Sequence, residues 1–393
     1  MKIGMKMQLN RLSAALAVGL AMSATAAVAQ EIVKIGYSGP LSGGAALYGK
    51  NVLTGMEMAA SEINAKGLEI AGKKYKIEII GLDDKYNPSE TGINVQRLIQ
   101  QHKTAAVLVP HSGGVFAVQA FNEKANVLLL AYTSLPQATA RGNKLTVRIP
   151  ADFTGYVVPF SKVAMSKFGK NVAIANADHD YAKAWTAAFK PAWEAAGGKV
   201  VAENPMSYNK ATDFYSGVSR VLQNKPDILF IGGPSEPTAL VVKQARELGF
   251  KGGFILLDQA KLDEMAKVLG GYAALEGSVG VLPLVDDVRP NAKLFVEKFR
   301  KLNPGREPSS EVSQNYAAVH ATVTAMKLAG TTNDPAAIRA QMGKAYSTMP
   351  GENNPSGVYT VNETGDTVTN TFLAVVENGK VKVSNLNVVA TGK

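Results

Sequence analysis

The chain has 393 residues, 46% hydrophobic and 19% charged; at roughly 150 residues per domain this calls for two medium lobes, with enough apolar surface to exclude intrinsic disorder. No cysteine is present, and His102, His111, His179 and His320 show no HExxH spacing, which excludes disulfides and thiolate metal sites and leaves no expected metal or cofactor. The formal charge of +10 comes without a dense Lys/Arg run interleaved with aromatics, so it reads as a solvated basic surface and nucleic acid is not an expected partner.

Residues 1–29 read as a cleavable signal peptide: Lys2, Lys6 and Arg11 precede a short apolar run, Leu12 to Ala24, and Ala27-Val28-Ala29 is a small-residue cleavage signature before Gln30. The run is shorter than the ~20 residues of a membrane span. The mature chain, carrying +7 once those three basic residues are removed, is expected to be soluble and exported.

From Ile32 onward, short apolar strands alternate with amphipathic helical stretches, the pattern of parallel sheets covered on both faces. Ile32 to Tyr37 predicts a strand, and apolar residues from Leu47 to Ile63 at three- and four-residue spacing predict a helix stopped by Gly67. Tyr75 to Leu82 is the next strand. Asn87-Pro88-Ser89-Glu90 supplies a cap, a first-turn Pro and a Glu three residues on, so a helix should run to about Gln101. Strands Ala105 to Val109 and Val127 to Ala131 flank a helix expected over Val115 to Lys124. After Pro150 a second series follows, with strands Val172 to Asn176, Lys199 to Ala202, Ile228 to Gly232 and Phe254 to Leu257; Thr212 and Asp213 open one helix, and Glu236 to Leu248 is another. The remainder holds helical stretches at Asn291 to Leu302 and Ser310 to Leu328, then a β-rich tail, Tyr359 to Val389, that should complete both lobes. The expected fold is α/β: two Rossmann-like doubly wound lobes, 30–150 with 285–358 and 151–284 with 359–393.

Ligands of open α/β sheets bind beyond the carboxyl ends of the strands. Gly39-Pro40-Leu41-Ser42-Gly43-Gly44 lacks both dinucleotide and P-loop spacing. Asp83 and Asp84 read as binders of backbone amides or of a lobe hinge before a general acid/base pair. The loops Pro110-His111-Ser112-Gly113-Gly114 and Tyr132-Thr133-Ser134 offer hydroxyls and amides at helix starts, a cradle for a carboxylate. Neighbouring His111 and Ser112 should point apart, and no GxSxG elbow occurs. In the second lobe Asp178-His179-Asp180-Tyr181, Gly233-Pro234-Ser235-Glu236 and Asp258-Gln259 follow strands, so acids and an aromatic should face the hydroxyl-rich loops. A zwitterion suits that division, with Tyr48 or Tyr181 covering its apolar part.

The stretch Val33 to Gly43, then Tyr48-Gly49, Gly55, and Ile63-Asn64-Ala65-Lys66-Gly67 resembles the opening of the branched-chain amino-acid (Leu/Ile/Val) periplasmic binding proteins, type I substrate-binding components of ABC importers. Asp83-Asp84 with Pro88, Thr139-Ala140-Arg141-Gly142, Asp213-Phe214 and Gln244 to Gly249 extend the likeness over essentially the whole mature chain. The resemblance implies a periplasmic, monomeric protein whose lobes, joined by a three-strand hinge, close on a small-molecule ligand and then dock on a membrane permease. It implies that Tyr48 packs on the ligand and that Ser112, Gly113, Tyr132 and Ser134 bind its carboxylate. It places Tyr181 at the second lobe's aromatic position and Asp258 where the family has a Glu for the ligand ammonium. The family's disulfide positions fall at Tyr86 and Ser112, Gly113 replaces a usual Ser, and Pro234 replaces an aromatic, so the pocket is reshaped and an aromatic acid, amide or urea is an alternative ligand. No nucleophile–base pair, metal cluster or cofactor fingerprint supports an enzyme. A ligand sensor for a signalling receptor would use the same cleft.

Overall fold

Strands buried on both faces need near-continuous apolar runs, and the computed structural model, which describes residues 30–389, builds its two sheets from them. The expected signal peptide, residues 1–29, lies outside the described residues. In the first lobe β1 (Glu31–Gly39), β2 (Leu68–Ile70), β3 (Lys73–Asp83), β4 (Ala106–Val109), β5 (Leu128–Ala131) and β6 (Thr146–Arg148) lie in the order β2-β3-β1-β4-β5-β6. β2 is a short antiparallel hairpin arm on β3, turned by Ala71 and Gly72 at positive φ. The second sheet contains β7 (Asn171–Ile174), β8 (Lys199–Glu203), β9 (Ile228–Ile231), β10 (Gly253–Leu256) and β11 (Ser278–Val281). A ladder of β12 (Thr360–Val361) and β13 (Thr367–Val368) precedes β14 (Asn370–Glu377) and β15 (Lys380–Val389), which extend the second sheet in the order β15-β14-β11-β10-β9-β7-β8.

Without the hairpin arm, each lobe's five parallel strands follow the order second, first, third, fourth, fifth. Strand order therefore reverses at β1/β4 and at β7/β9, and crevices open beyond the carboxyl ends there.

The helices are α1 (Ala46–Lys66), α2 (Pro88–Gln100), α3 (Ser112–Gln119), α4 (Gln137–Ala140), α5 (Thr154–Phe168), α6 (Asp180–Ala195), α7 (Tyr215–Leu222), α8 (Ser235–Glu247), α9 (Leu262–Leu269), α10 (Pro290–Leu302), α11 (Ser310–Ala329) and α12 (Pro335–Thr348). α10 to α12 follow the second lobe in sequence but pack on the first, where Phe295, Tyr316 and Met342 share a core with Val52 and Met56 of α1. α2 and α3 cover the other face through Val95, Leu98, Val115 and Val118. The second lobe closes around Trp185, Phe189 and Phe230, the last two stacked at 4.0 Å. The chain thus passes between lobes after β6, after β11 and before β14.

Two local expectations shift. α3 begins at Ser112 and ends at Gln119, ahead of the expected Val115 to Lys124, because His111 caps it: its Nδ1 accepts from Gly114 N at 3.0 Å. Asp213 lies outside α7 and accepts from Tyr215 N at 3.0 Å. The tail serves both lobes: β14 and β15 join the second sheet, while Asp366 of the small ladder pairs with Arg148 of β6 at 2.8 Å.

Close packing of α1 on α11 depends on Gly55, where a Cβ would stand 2.2 Å from the Val312 carbonyl oxygen. Gly55→Ala is expected to destabilise the protein by about 1–3 kcal/mol through overpacking, read as a lower urea midpoint at unchanged slope.

Candidate functional site

The turn after β1 is tied down by Asp83, whose carboxylate accepts from Leu41 N at 2.8 Å and Ser42 Oγ at 2.5 Å. Asp84 is fully buried and accepts from Thr91 Oγ1 at 2.8 Å, His111 Nε2 at 3.0 Å and Ser38 Oγ at 3.2 Å. Both carboxylates shape loops, and neither faces the cleft. Because His111 Nδ1 accepts from Gly114 N, its proton sits on Nε2, directed at Asp84. Ser112 turns away from His111 to bond Thr133 Oγ1 at 2.7 Å, which joins the two hydroxyl-bearing loops of the first lobe.

The second lobe repeats this cap. His179 Nδ1 accepts from Ala182 N at 3.2 Å at the start of α6, and burial pushes its ring down to about 4, so it is neutral at neutral pH. Tyr86 lies between the two capping histidines, its ring 4.5 Å from His111 and 5.5 Å from His179. Its hydroxyl accepts from Gln259 Nε2 at 3.0 Å across the lobes.

Between the lobes lies a cleft lined by residues of both. Of the residues singled out from sequence, Tyr48, Ser112, Tyr132 and Ser134 line it from the first lobe and Tyr181 and Asp258 from the second. Gly113 does not. It borders a neighbouring opening with Pro88, His179 and Asn209, and a Cβ there would lie 2.7 Å from Pro88 Cγ, so packing disfavours any larger residue.

Asp258 is the centre of the cleft. Ser134 Oγ donates to its Oδ2 at 2.6 Å from the opposite lobe, while Tyr181 OH and Trp185 Nε1, the latter at 3.1 Å, donate to Oδ1. Burial pushes its carboxyl above the usual range. Ser134 and Trp185 are linked a second time through the passage between lobes: Phe153 N donates to Ser134 O at 3.1 Å and the Phe153 ring stacks on Trp185 at 4.6 Å. Tyr48 is held by its hydroxyl, which donates to Pro110 O at 2.5 Å.

Sequence reasoning missed Lys261 and Tyr156 of the lining and took Tyr86 only as a disulfide position. Lys261 is the residue before α9; its ammonium donates to the Asp258 carbonyl and stands 3.8 Å from Glu311 Oε1 of the first lobe. Its signal was a cation directly after the Asp258 loop, ahead of an amphipathic helix. Among the described residues no cluster of His, Asp and Glu could hold a metal ion.

A model of the periplasmic binding protein family matches residues 32–380. The chain belongs to that family. This periplasmic binding protein is 29% identical over 327 residues to an amino acid binding protein of Pseudomonas aeruginosa, covering 82% of this chain and 85% of the relative. It superposes on the branched-chain amino acid transporter substrate binding protein LivJ of Streptococcus pneumoniae in complex with isoleucine, with TM-score 0.76 and 24% identity, covering 90% and 99% of the two chains. It also superposes on an R. palustris ABC transporter solute binding protein in complex with benzoate, with TM-score 0.77 and 18% identity over 91% and 96%. The two-lobe α/β fold is that of the type I proteins, and the relatives are binding proteins, not enzymes.

Beside the cleft of this periplasmic binding protein, Asp263 and Glu264 of α9 approach Glu311 of α11 across the lobes. Burial, then the Glu264 and Glu311 charges, push the Asp263 carboxyl up to about 7. Its native value exceeds the unfolded one of about 3.9, so the folded state holds the extra proton. Stability from this group is fully present below pH 4 and is lost as pH rises through about 7. Asp263→Asn is therefore expected to stabilise the protein by up to a few kcal/mol at pH 8 and by little at pH 4, read from melting curves at both values.

Proposed function

We propose that this protein is the solute-binding component of an ABC importer, capturing a small carboxylate-bearing solute, an amino acid or a related acid, between its lobes and passing it to the membrane permease. The observation that carries this reading is the pair of cross-lobe hydrogen bonds, Ser134 to Asp258 and Gln259 to Tyr86, that tie the lobes together across one polar and aromatic cleft. Such bonds exist only when the lobes are shut, so a solute touching both lobes stabilises the closed state by contacts the open state lacks. The named relatives agree on the chemistry of the cargo: an amino acid, isoleucine and benzoate all carry a carboxylate.

In this reading the Ser112 hydroxyl meets the carboxylate, Tyr132 and Ser134 border it, the Gly113 amide supports the start of α3 beside it, and Tyr48 and Tyr181 cover the solute's body. The protein acts as a monomer, exported by residues 1–29.

Purified mature protein screened by thermal shift against amino acids, amides and organic acids should show a raised melting point with its cargo. Small-angle scattering should show contraction with the same compound, and deleting the gene should abolish its uptake. Recovery of a chemically altered solute would overturn the proposal. Tyr48→Ala and Tyr181→Ala should each weaken binding by about 1–3 kcal/mol through lost ring contact, measured by calorimetry.

A further inference from the structure

An ammonium bound in a closed cleft needs a carboxylate oxygen with capacity to spare, and a carboxylate needs an unsaturated donor, best a cation. Asp258 is already supplied by three protein donors, from Ser134 on one lobe and from Tyr181 and Trp185 on the other. An incoming ammonium would compete with Ser134, the contact that draws the lobes together. Glu311 has a buried Oε2 without a hydrogen-bond partner, but it lies outside the lining, in a separate pocket with Tyr48, Glu236 and Glu264.

The positive side of the cleft is different. Lys261 is, among the described residues, the one Lys or Arg in the lining, and its side chain is only 12% exposed. Of its three N–H donors, the Asp258 carbonyl takes one. Glu311 at 3.8 Å orients the ammonium but is beyond hydrogen-bond range. His111 directs its proton away from the cleft, at Asp84. Gln259 Oε1 is buried without a partner, an acceptor fitted to a neutral hydroxyl or amide N–H. The rings of Tyr48, Tyr132, Tyr156 and Tyr181 supply flat apolar walls.

We propose that the cleft selects an organic acid whose only charge is its carboxylate, carried on a flat apolar body, with Lys261 as its counter-charge and Asp258 closed to a ligand ammonium. This presupposes capture in the cleft, and it narrows the cargo to the acid rather than the amino acid. Lys261 is the residue that sets specificity; Asp258 is the latch.

The test is calorimetric titration of the intact mature protein with matched series: phenylalanine, 3-phenylpropanoate and 3-phenylpropanamide; leucine, 4-methylpentanoate and 4-methylpentanamide; benzoate and benzamide. In any series that binds, the acid should be tightest by at least about tenfold. Lys261→Met should weaken the acid by roughly ten- to hundredfold, as for a charge-assisted bond, and leave the amide unchanged, with Lys261→Arg retaining most of the affinity. Melting curves without ligand show that each variant is folded. A tightest-binding amino acid, or an acid indifferent to Lys261→Met, overturns the inference while leaving capture intact, provided scattering shows closure with the bound compound. Failure of every compound to bind or to close the lobes overturns both.

Discussion

A carboxylate taken out of water must find donors or a proton, and Asp258 finds its donors on both sides of the seam between the lobes. Ser134 reaches it from the first lobe, Tyr181 and Trp185 from the second. With the lobes apart, Asp258 keeps its own lobe's donors and loses Ser134. The shut geometry is therefore written into one desolvated group, and the positions of the surrounding residues follow from satisfying it. Phe153 lies in a passage between the lobes, bonding the Ser134 backbone and stacking on Trp185. The same ring system that fills the second core thus also aims the donor at the cleft.

The two lobes are built to meet in this way. Each presents the reversal of strand order at its rim, and each opens a cleft-facing helix with a histidine whose Nδ1 accepts the orphan amide three residues on. The paired caps bring His111 and His179 to either side of Tyr86, and Tyr86 meets Gln259 of the second lobe. At this spot the lobes are held together by ring contacts and a cross-lobe hydrogen bond. On the flank, buried acids facing one another cost stability at neutral pH. This is the kind of local strain that binding sites carry and cores do not.

Much of the fold could be read along the chain because parallel strands advertise themselves as apolar runs and helices as caps and spacing. The Asn87-Pro88 start was read correctly, with Asn87 Oδ1 accepting from Ser89 N at 2.9 Å. The equivalent Asp334-Pro335 start of α12 went unread, although Asp334 Oδ1 caps it from Ala337 N at 3.0 Å. α3 was placed late because histidine is not among the usual capping residues. β2, β6 and β11, at three or four residues, are too short for alternation to show.

By itself the sequence determined the α/β alternation, the two lobes, the absence of thiol chemistry and the loops that border the cleft, because these depend on neighbours in the chain. Only the tertiary structure decided which side chains meet across it. It set Gly113 in a neighbouring opening, brought Lys261 and Tyr86 in, and gathered donors to Asp258 from 73 to 124 residues away. Hydrogen-bond saturation and desolvation belong to a place in space, and residues that distant share a place only after the lobes have folded and closed.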